Sequence, residues 1–336
     1  FKIFMNLNER ISLFSSLGKL ISNSPNVFEE VVSQAIIINP WFTKDHIITS
    51  FLSISQMLDE ENLHNWISNY DLSHIKSKKV LIIMAGNVPM VGFHDLLCVL
   101  ISGHSAIIKF SSKDNILMKF IIDKLISISS EIKNRINIVD DFVKCKFDAL
   151  IATGSDNSSK YFNYYFKDYK SIIRKNRRSA AILNGNESDE DLKMLAKDIF
   201  LYFGLGCRNV SKIFLPKNYK TDKLFNAFYE YKEQINHIKY SNNYDYNKTV
   251  YLMNGEKLLD NGFVLLKEDT SIQSPVATIF FEYYNNRSKL DKYIMENRSL
   301  FQCVVSKENI QFGQTQFPKV NDYSDQIDTI EFLIDI

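Results

Sequence analysis

Two glycines precede a single cysteine in Tyr202-Phe203-Gly204-Leu205-Gly206-Cys207-Arg208-Asn209, and an apolar β-like run, Lys212-Ile213-Phe214-Leu215-Pro216, follows. Glycine lets a backbone approach a reacting carbonyl closely, so a thiolate and a neighbouring N–H can address one atom. A thiol so placed can carry a covalent acyl group, because sulfur both attacks and leaves well. The alternative is a buried structural cysteine, the commoner state of a free thiol. Upstream, Gly86-Asn87-Val88-Pro89 closes an apolar run. The Asn87 amide is a candidate donor to an oxyanion, and the same residues are ordinary turn formers. Thr153-Gly154-Ser155 opens a helix whose free N–H groups can receive a phosphate or simply be capped. Lys109 ends another apolar run, as a ribose partner or a solvated strand end. His94 and His104 are expected to be structural, since neither sits in an acid–base motif.

These residues need elements to hold them. From residue 6 to 75 apolar positions recur at helical spacing, as in Ile11, Phe14, Leu17 and Ile21. From residue 79 the texture alternates. Strands are expected at 79–84, 106–110, 136–139 and 149–152, with helices at 94–102 and 115–129. Short polar turns follow the strands, the pattern of a parallel sheet with crossover helices. Ligands in such folds sit at the carboxyl ends of the strands. The helix after Ser155 carries Tyr161, Phe162, Tyr165, Phe166 and Tyr169, expected to be core rather than a stacking platform. A second alternating region starts near residue 178. It holds Ala180–Leu183, the Cys207 segment, a helix from Leu224 to Ile235, and strands at 249–253, 263–266, 277–282 and 301–305. Tyr240–Asn247, polar and rich in Asn and Tyr, is expected to be an exposed loop.

With 336 residues, 45% hydrophobic and 24% charged, the chain has the length for two domains and the composition of a globular protein. A net charge of +1 gives no reason to expect nucleic acid as a partner. No apolar run reaches the ~18 residues of a membrane span. The four cysteines, Cys98, Cys145, Cys207 and Cys303, show neither zinc spacing nor a disulfide framework, so no metal is expected and the cytoplasm is. Residues 1–5 lack a signal-peptide pattern, and Met5 is a candidate start.

In order, these pieces resemble the aldehyde dehydrogenase superfamily. The closer resemblance is to its fatty acyl-CoA reductase (LuxC) family, best known from bioluminescence. Its most specific segments are Ala85–Pro89, Phe147–Ser155 and Phe203–Arg208. Ser274-Pro275-Val276 is similar to the superfamily's Gly-Pro-Val turn, and Asp322–Leu333 to the closing segment of the reductases. The resemblance implies an α/β fold with a Rossmann-type parallel-sheet cofactor domain and an α/β catalytic domain. The expected bounds are 1–177, including N-terminal helices, and 178–315 around the cysteine. A C-terminal segment, 316–336, is expected to return to the cofactor domain. It implies Cys207 as nucleophile and Asn87 as oxyanion donor. Lys109 would hold the adenosine ribose, with Gly86, Ser111 and Ser112 also binding cofactor, and Thr153, Gly154 and Ser155 would line the nicotinamide and pyrophosphate path.

Three departures sharpen that expectation. Hydrolytic relatives carry a general-base Glu before the cysteine, whereas the matching stretch here is Arg174-Lys175-Asn176-Arg177-Arg178. Without a base to activate water, an acyl-enzyme is not quickly hydrolysed, which suits exchange with coenzyme A. That basic run is either a phosphate contact or a solvated strand edge. NAD-preferring relatives keep a Glu three residues after the ribose Lys, but Ser112 stands there, with Lys113 next to it. A 2′-phosphate is then accommodated, and NADPH is the expected cofactor, with NADH the lesser alternative. Ser271 stands where many relatives have a ribose-binding Glu. Arg208 and Lys212 are candidates for lowering the thiol pKa. The expected activity is NADPH-dependent reduction of a long-chain fatty acyl-CoA to the aldehyde. The alternatives are a CoA-acylating aldehyde dehydrogenase using NAD and a non-catalytic binding protein. The acyl donor is an acyl-CoA or another carrier, and a homo-oligomer or an acyl-transfer partner protein stays open.

Overall fold

The structure, a computed structural model, describes residues 5–23 and 28–336. Residues 1–4, part of the segment without a signal-peptide pattern, and residues 24–27 lie outside the described residues. The chain divides into two units, one running to Asn176 and taking in Pro318–Ile336, the other Arg177–Phe317.

Four helices open the first unit: α1 (Leu7–Asn23), α2 (Glu29–Ile38), α3 (Lys44–Met57) and α4 (Glu60–Ile67). The starts of α3 and α4 are set by side-chain caps. Thr43 accepts from His46 N–H ahead of α3, and Asp59 accepts from Glu61 and Asn62 N–H ahead of α4. Next come β1 (Lys79–Ile83), α5 (Phe93–Ile101), β2 (Ser105–Lys109), α6 (Asn115–Ile128), β3 (Ile136–Ile138), β4 (Ala149–Thr153), α7 (Asp156–Tyr165) and β5 (Lys170–Arg174). The strands form one parallel sheet in the order β3-β2-β1-β4-β5. Its central strands are near-continuous apolar runs because both faces are covered: Val80, Leu81 and Ile82 of β1 are all buried. The strand order reverses direction at β1/β4, and the crevice outside the carboxyl ends there is where such sheets take ligands.

The segment after Pro318 is tied into this unit by buried polar contacts. Trp66 Nε1 donates to Tyr323 Oη at 2.7 Å. Arg174 donates to the Ser324 carbonyl at 2.6 Å and pairs with Asp95 at 2.5 Å. His94 Nε2 lies 2.7 Å from the Val320 carbonyl and His104 Nε2 lies 2.9 Å from that of Leu333, at the end of α12 (Thr329–Ile334). Lys78 N–H donates to His104 Nδ1, so this ring is neutral with its proton on Nε2; burial lowers its pKa.

The second unit holds β6 (Arg178–Ile182), α8 (Asp189–Phe200), β7 (Val210–Pro216), α9 (Asp222–Phe228), α10 (Ile238–Met253), β8 (Leu259–Asp260), β9 (Leu265–Glu268), β10 (Thr278–Tyr284), α11 (Arg287–Glu296) and β11 (Phe301–Val305). The sheet order is β11-β6-β7-β10-β9-β8, parallel except for the β8/β9 pair.

The helix expected from Leu224 to Ile235 is α-helical only to Phe228, with 3-10 turns over Tyr229–Asn236, and a second stretch differs more. Tyr240–Asn247 is not a loop but the middle of α10, and the strand expected at 249–253 is that helix's last part. Tyr240, Tyr244 and Asn247 fall on one buried stripe. A tyrosine buries its ring and keeps a polar tip, so a sequence that looks polar still supplies a packing face. Tyr244 Oη donates to Asp260 at 2.7 Å, and Asn247 Nδ2 to the Val276 carbonyl at 2.9 Å. Leu252 and Met253 point outward. The following strand starts at Leu265 rather than 263, where the Asn261 side chain accepts from the N–H groups of Phe263 and Val264.

Candidate active site

In the first unit, the carboxyl ends of β2, β1 and β4 lie side by side. Lys109 and Ala152 flank Ile83 in register, and Thr153 follows at once. The turn after β1 is pressed against the turn after β2. A Cβ on Gly86 would sit 2.6 Å from Ser111 Oγ and 3.1 Å from Asp114 N, so only glycine fits. Asn39 Nδ2, just past α2, donates to the Gly86 carbonyl at 3.2 Å, and Ser50 Oγ of α3 to that of Pro89 at 2.7 Å. Met90 takes a left-handed conformation, φ 56°, and its N–H donates to Asp114 Oδ2 at 2.5 Å. Burial pushes the Asp114 carboxyl well above the ordinary carboxylate range, the Met90 N–H offsetting part of the rise. Asn87 is exposed at the tip of this braced turn. Beyond β4, Ser155 caps α7 by accepting from Ser158 N–H, and a Cβ on Gly154 would lie 2.8 Å from Ser158 Cβ.

In the second unit, Cys207 sits half-buried on the loop between α8 and β7. The loop leaves α8 through three left-handed residues, Tyr202, Phe203 and Gly204, with φ of 55°, 55° and 72°. For the two aromatic residues that conformation costs about 1–3 kcal/mol each, so the surroundings must impose it. Asn209, almost wholly buried, supplies much of the hold. Its Oδ1 accepts from Gly206 N–H at 2.9 Å. Its Nδ2 lies 3.1, 3.3 and 2.7 Å from the carbonyls of Asp198, Ile199 and Leu201, which lie at the end of α8 where intrahelical donors run out. From the other side, Ser179 Oγ at the start of β6 donates to the Cys207 carbonyl at 2.9 Å and accepts from Cys303 N–H at 3.1 Å. Phe203 stacks against His237 with ring centroids 4.4 Å apart. Beside this turn a small cavity is lined by Phe203, Gly204, Tyr240, Ser274 and Thr278, among others. The hydroxyls of the last three are buried and make no hydrogen bond among the described residues.

The sequence model of the acyl-CoA reductase (LuxC) family matches residues 45–313, a span that takes in Gly86, Asn87, Lys109, Thr153 and Cys207. The chain belongs to the acyl-CoA reductase (LuxC) family. No curated protein sequence matches it. Among solved structures, aldehyde dehydrogenase 21 of Physcomitrella patens, complexed with succinate, is 13% identical, covering 98% of this chain and 84% of its own at a TM-score of 0.70. The NAD-dependent benzaldehyde dehydrogenase of Corynebacterium glutamicum is 12% identical over 90% and 77%, TM-score 0.66. The NAD+ complex of a Mycobacterium tuberculosis aldehyde dehydrogenase is 11% identical over 85% and 70%, TM-score 0.63. At such identities the likeness is one of fold, and this reductase-family chain has the aldehyde dehydrogenase-like α/β fold.

Several residues of this family member sit differently from expectation. Arg174 is neither a phosphate contact nor part of a solvated edge. It is buried, bound to Asp95, the Ser324 carbonyl and Thr329 Oγ1. Lys212 is fully buried and pairs with Glu282 at 2.9 Å and with the Asp269 carbonyl, which excludes it as a partner for the thiol. Arg208 Nη1 lies 3.4 Å from Cys303 Sγ. The aromatic face of α7 splits. Phe162 and Phe166 pack inward, while Tyr161, Tyr165 and Tyr169 are exposed, the first two with tilted rings 4.6 Å apart. Ser112 and Lys113 are exposed after β2 and Lys109 is half-buried. Ser271 is exposed. Sequence reasoning missed Asn209, Ser179 and Asn39. Only Asn209 left a trace, a polar residue between Cys207 and an apolar strand. Among the described residues no group of His, Cys, Asp and Glu could hold a metal, and no helix is long and apolar enough to cross a membrane.

Proposed function

We propose that this protein reduces a fatty acyl-CoA to the fatty aldehyde with NADPH, by way of an acyl group carried on Cys207. The observation that carries the reading is the Cys207 turn, a half-buried thiol on a loop clamped by Asn209 and Ser179, in a chain of the acyl-CoA reductase family. Strained, over-determined backbone at a nucleophile is a mark of pre-organisation.

The residues at the carboxyl edge of the first sheet fit a dinucleotide. Gly86 leaves the close backbone approach that a bulkier residue would fill. Thr153, Gly154 and Ser155 lead into the N-terminus of α7, suited to a pyrophosphate. Lys109 offers a donor to the ribose, and Ser111, Ser112 and Lys113 bring no carboxylate that would repel a 2′-phosphate. When bound, the nicotinamide supplies hydride to the acyl carbon.

The chain's own groups do the rest. Cys207 as thiolate attacks the thioester carbonyl, forming a carbon–sulfur bond as the carbonyl π electrons move to oxygen. The Asn87 amide donates to that oxyanion. Collapse expels coenzyme A as its thiolate and leaves the acyl group on Cys207. After reduction the resulting thiohemiacetal breaks its carbon–sulfur bond, releasing aldehyde and regenerating the thiolate. No carboxylate occupies the stretch that precedes β6, so water has no general base there and the acyl group is preserved for reduction. A free thiol of this kind is suited to the reducing cytoplasm.

The test is NADPH oxidation by purified protein with acyl-CoA esters of several chain lengths, alongside intact-protein mass spectrometry with NADPH omitted. The reading expects NADPH loss and an acyl adduct on Cys207. NADH oxidation at equal or greater rate would overturn the cofactor assignment. A folded protein that forms no adduct and oxidises neither cofactor would overturn the function.

A further inference from the structure

The nucleophile's loop carries a second polar residue with no role so far beyond its contacts. We infer that Asn209 is a positioning residue for Cys207, holding the turn in the one shape that presents thiol and backbone together to a thioester. The inference rests on the reading of Cys207 as the acylated nucleophile.

Three observations support it. First, the Asn209 amide uses both ends. Its oxygen takes the Gly206 N–H, immediately before the cysteine, and its nitrogen reaches three carbonyls at the end of α8. The residue before the nucleophile is thereby fastened to the helix that precedes it. Second, the loop between these anchors contains two non-glycine residues in left-handed conformation, Tyr202 and Phe203. A backbone in that state relaxes unless its ends are fixed. Third, the Asn209 N–H donates to the Gly206 carbonyl at 3.1 Å, so the same residue closes the Cys207 turn through its main chain as well. The Gly206 N–H, being occupied, is removed from the set of oxyanion donors.

Attack on a thioester needs the thiol, the carbonyl carbon and the oxyanion donors in one geometry, and a displacement of about 1 Å costs roughly 10²-fold in rate. Alkylation by iodoacetamide needs only an accessible thiolate. The two reactions therefore separate positioning from simple integrity of the loop. The variants are Asn209→Asp, which keeps the acceptor for Gly206 N–H but loses the donors to α8, and Asn209→Ala, which loses both. Thermal unfolding and NADPH binding verify that each is folded.

The measurement is the rate of Cys207 acylation by acyl-CoA against its rate of alkylation by iodoacetamide. We expect acylation to fall roughly 10²-fold in Asn209→Ala, and less in Asn209→Asp, while alkylation stays within about 3-fold of wild type. Acylation at the wild-type rate in a folded Asn209→Ala protein overturns the inference. So does a parallel fall in both reactions, which would mean lost access rather than lost geometry. If Asn209→Ala does not fold, Asn209→Asp decides on the same criteria. A wild-type Cys207 that is alkylated but never acylated would overturn the nucleophile reading and this inference with it, and that outcome is visible before any variant is made.

Discussion

Two regions of the molecule keep a turn tight by opposite means. At the carboxyl edge of the first sheet the turns meet where side chains are missing, with Asn39, Ser50 and Asp114 bracing them from outside. Gly86 lies against Ser111 and Gly154 against Ser158, each with no room for a Cβ. On the loop before β7 the turn closes because side chains are added. Asn209 and Ser179 reach in with hydrogen bonds, and residues with full side chains, Tyr202 and Phe203, are forced into left-handed backbone. On the proposed function, the difference follows from what each place has to receive. A dinucleotide is recognised by backbone groups, which must be bare. A nucleophile must be held in one orientation, which takes partners.

The sharpest break in that comparison removes the sulfur proposed as the nucleophile. Cys207→Ala is expected to fold and to bind NADPH as wild type does, with reduction of acyl-CoA lower by at least about 10³-fold. Steady-state NADPH oxidation and the mass of the protein after exposure to acyl-CoA give the answer. Retained turnover would remove Cys207 from the mechanism. On the other side, Gly86→Ala places a methyl 2.6 Å from Ser111 Oγ and must displace one turn or the other. NADPH affinity is expected to fall by about 10-fold, the loss of a kcal/mol or so of contact, with iodoacetamide alkylation of Cys207 unchanged. Fluorescence titration of NADPH measures the first and labelling kinetics the second. A fall in alkylation with intact NADPH binding would invert the assignment of the two regions.

The two modes also explain what the sequence disclosed. The parallel sheets were legible because β1, β2 and β4 are buried on both faces and so are written as unbroken apolar runs ending in Gly, Lys or Thr. A turn held by absent side chains announces itself as glycine after a strand. The Cys207 turn also shows its glycines, Gly204 and Gly206, but the side chains that hold it leave little sign. Ser179 lies within an apolar strand, and its partners Cys207 and Cys303 are far away in sequence. Arg174 sits in a run of basic residues that looks solvated, and only folding brings Asp95 to it from 79 positions away. The helix α10 was missed for a related reason. Its buried stripe is built from Tyr240, Tyr244 and Asn247, residues whose polarity hides the 3.6-residue period. The roles of the candidate residues rest on their types and order in the chain, which the experiments above address.

Ser179→Ala sharpens the comparison at smaller scale. It removes the hydroxyl shared by the Cys207 carbonyl and the Cys303 N–H. Leaving buried polar groups without a partner costs about 1–3 kcal/mol. The unfolding midpoint in urea should drop accordingly, and acylation of Cys207 should slow by a smaller factor than in Asn209→Ala, because two hydrogen bonds are lost rather than the four that the Asn209 side chain makes. Restoration of both quantities in Ser179→Thr would confirm that the hydroxyl, not the volume, matters. An Ala variant with wild-type midpoint and acylation rate would show the bond to be dispensable.

The smallest effect on the chemistry is expected at Asp198, at the far end of the clamp. Its carbonyl receives Asn209 Nδ2, while its carboxyl accepts from Gly313 N–H at 2.7 Å, Thr315 N–H at 3.0 Å and Thr315 Oγ at 2.8 Å. Burial nevertheless dominates those bonds and lifts its pKa to about 6. An acid whose folded-state pKa is raised binds its proton more tightly in the native state than in the unfolded chain. Its contribution is therefore fully present at a pH below the ordinary carboxylate value and is lost as the pH rises through about 6. From this group stability falls with pH, by at most about 1.4 kcal/mol per unit, between roughly pH 4 and 6. Asp198→Asn cannot titrate, so its urea midpoint measured at half-unit steps across that window should run flatter than that of wild type. Parallel curves would mean that the three donors hold the carboxylate ionised throughout. The end of α8 would then be fastened by a charged Asp198 down to about pH 4 rather than only above about 6.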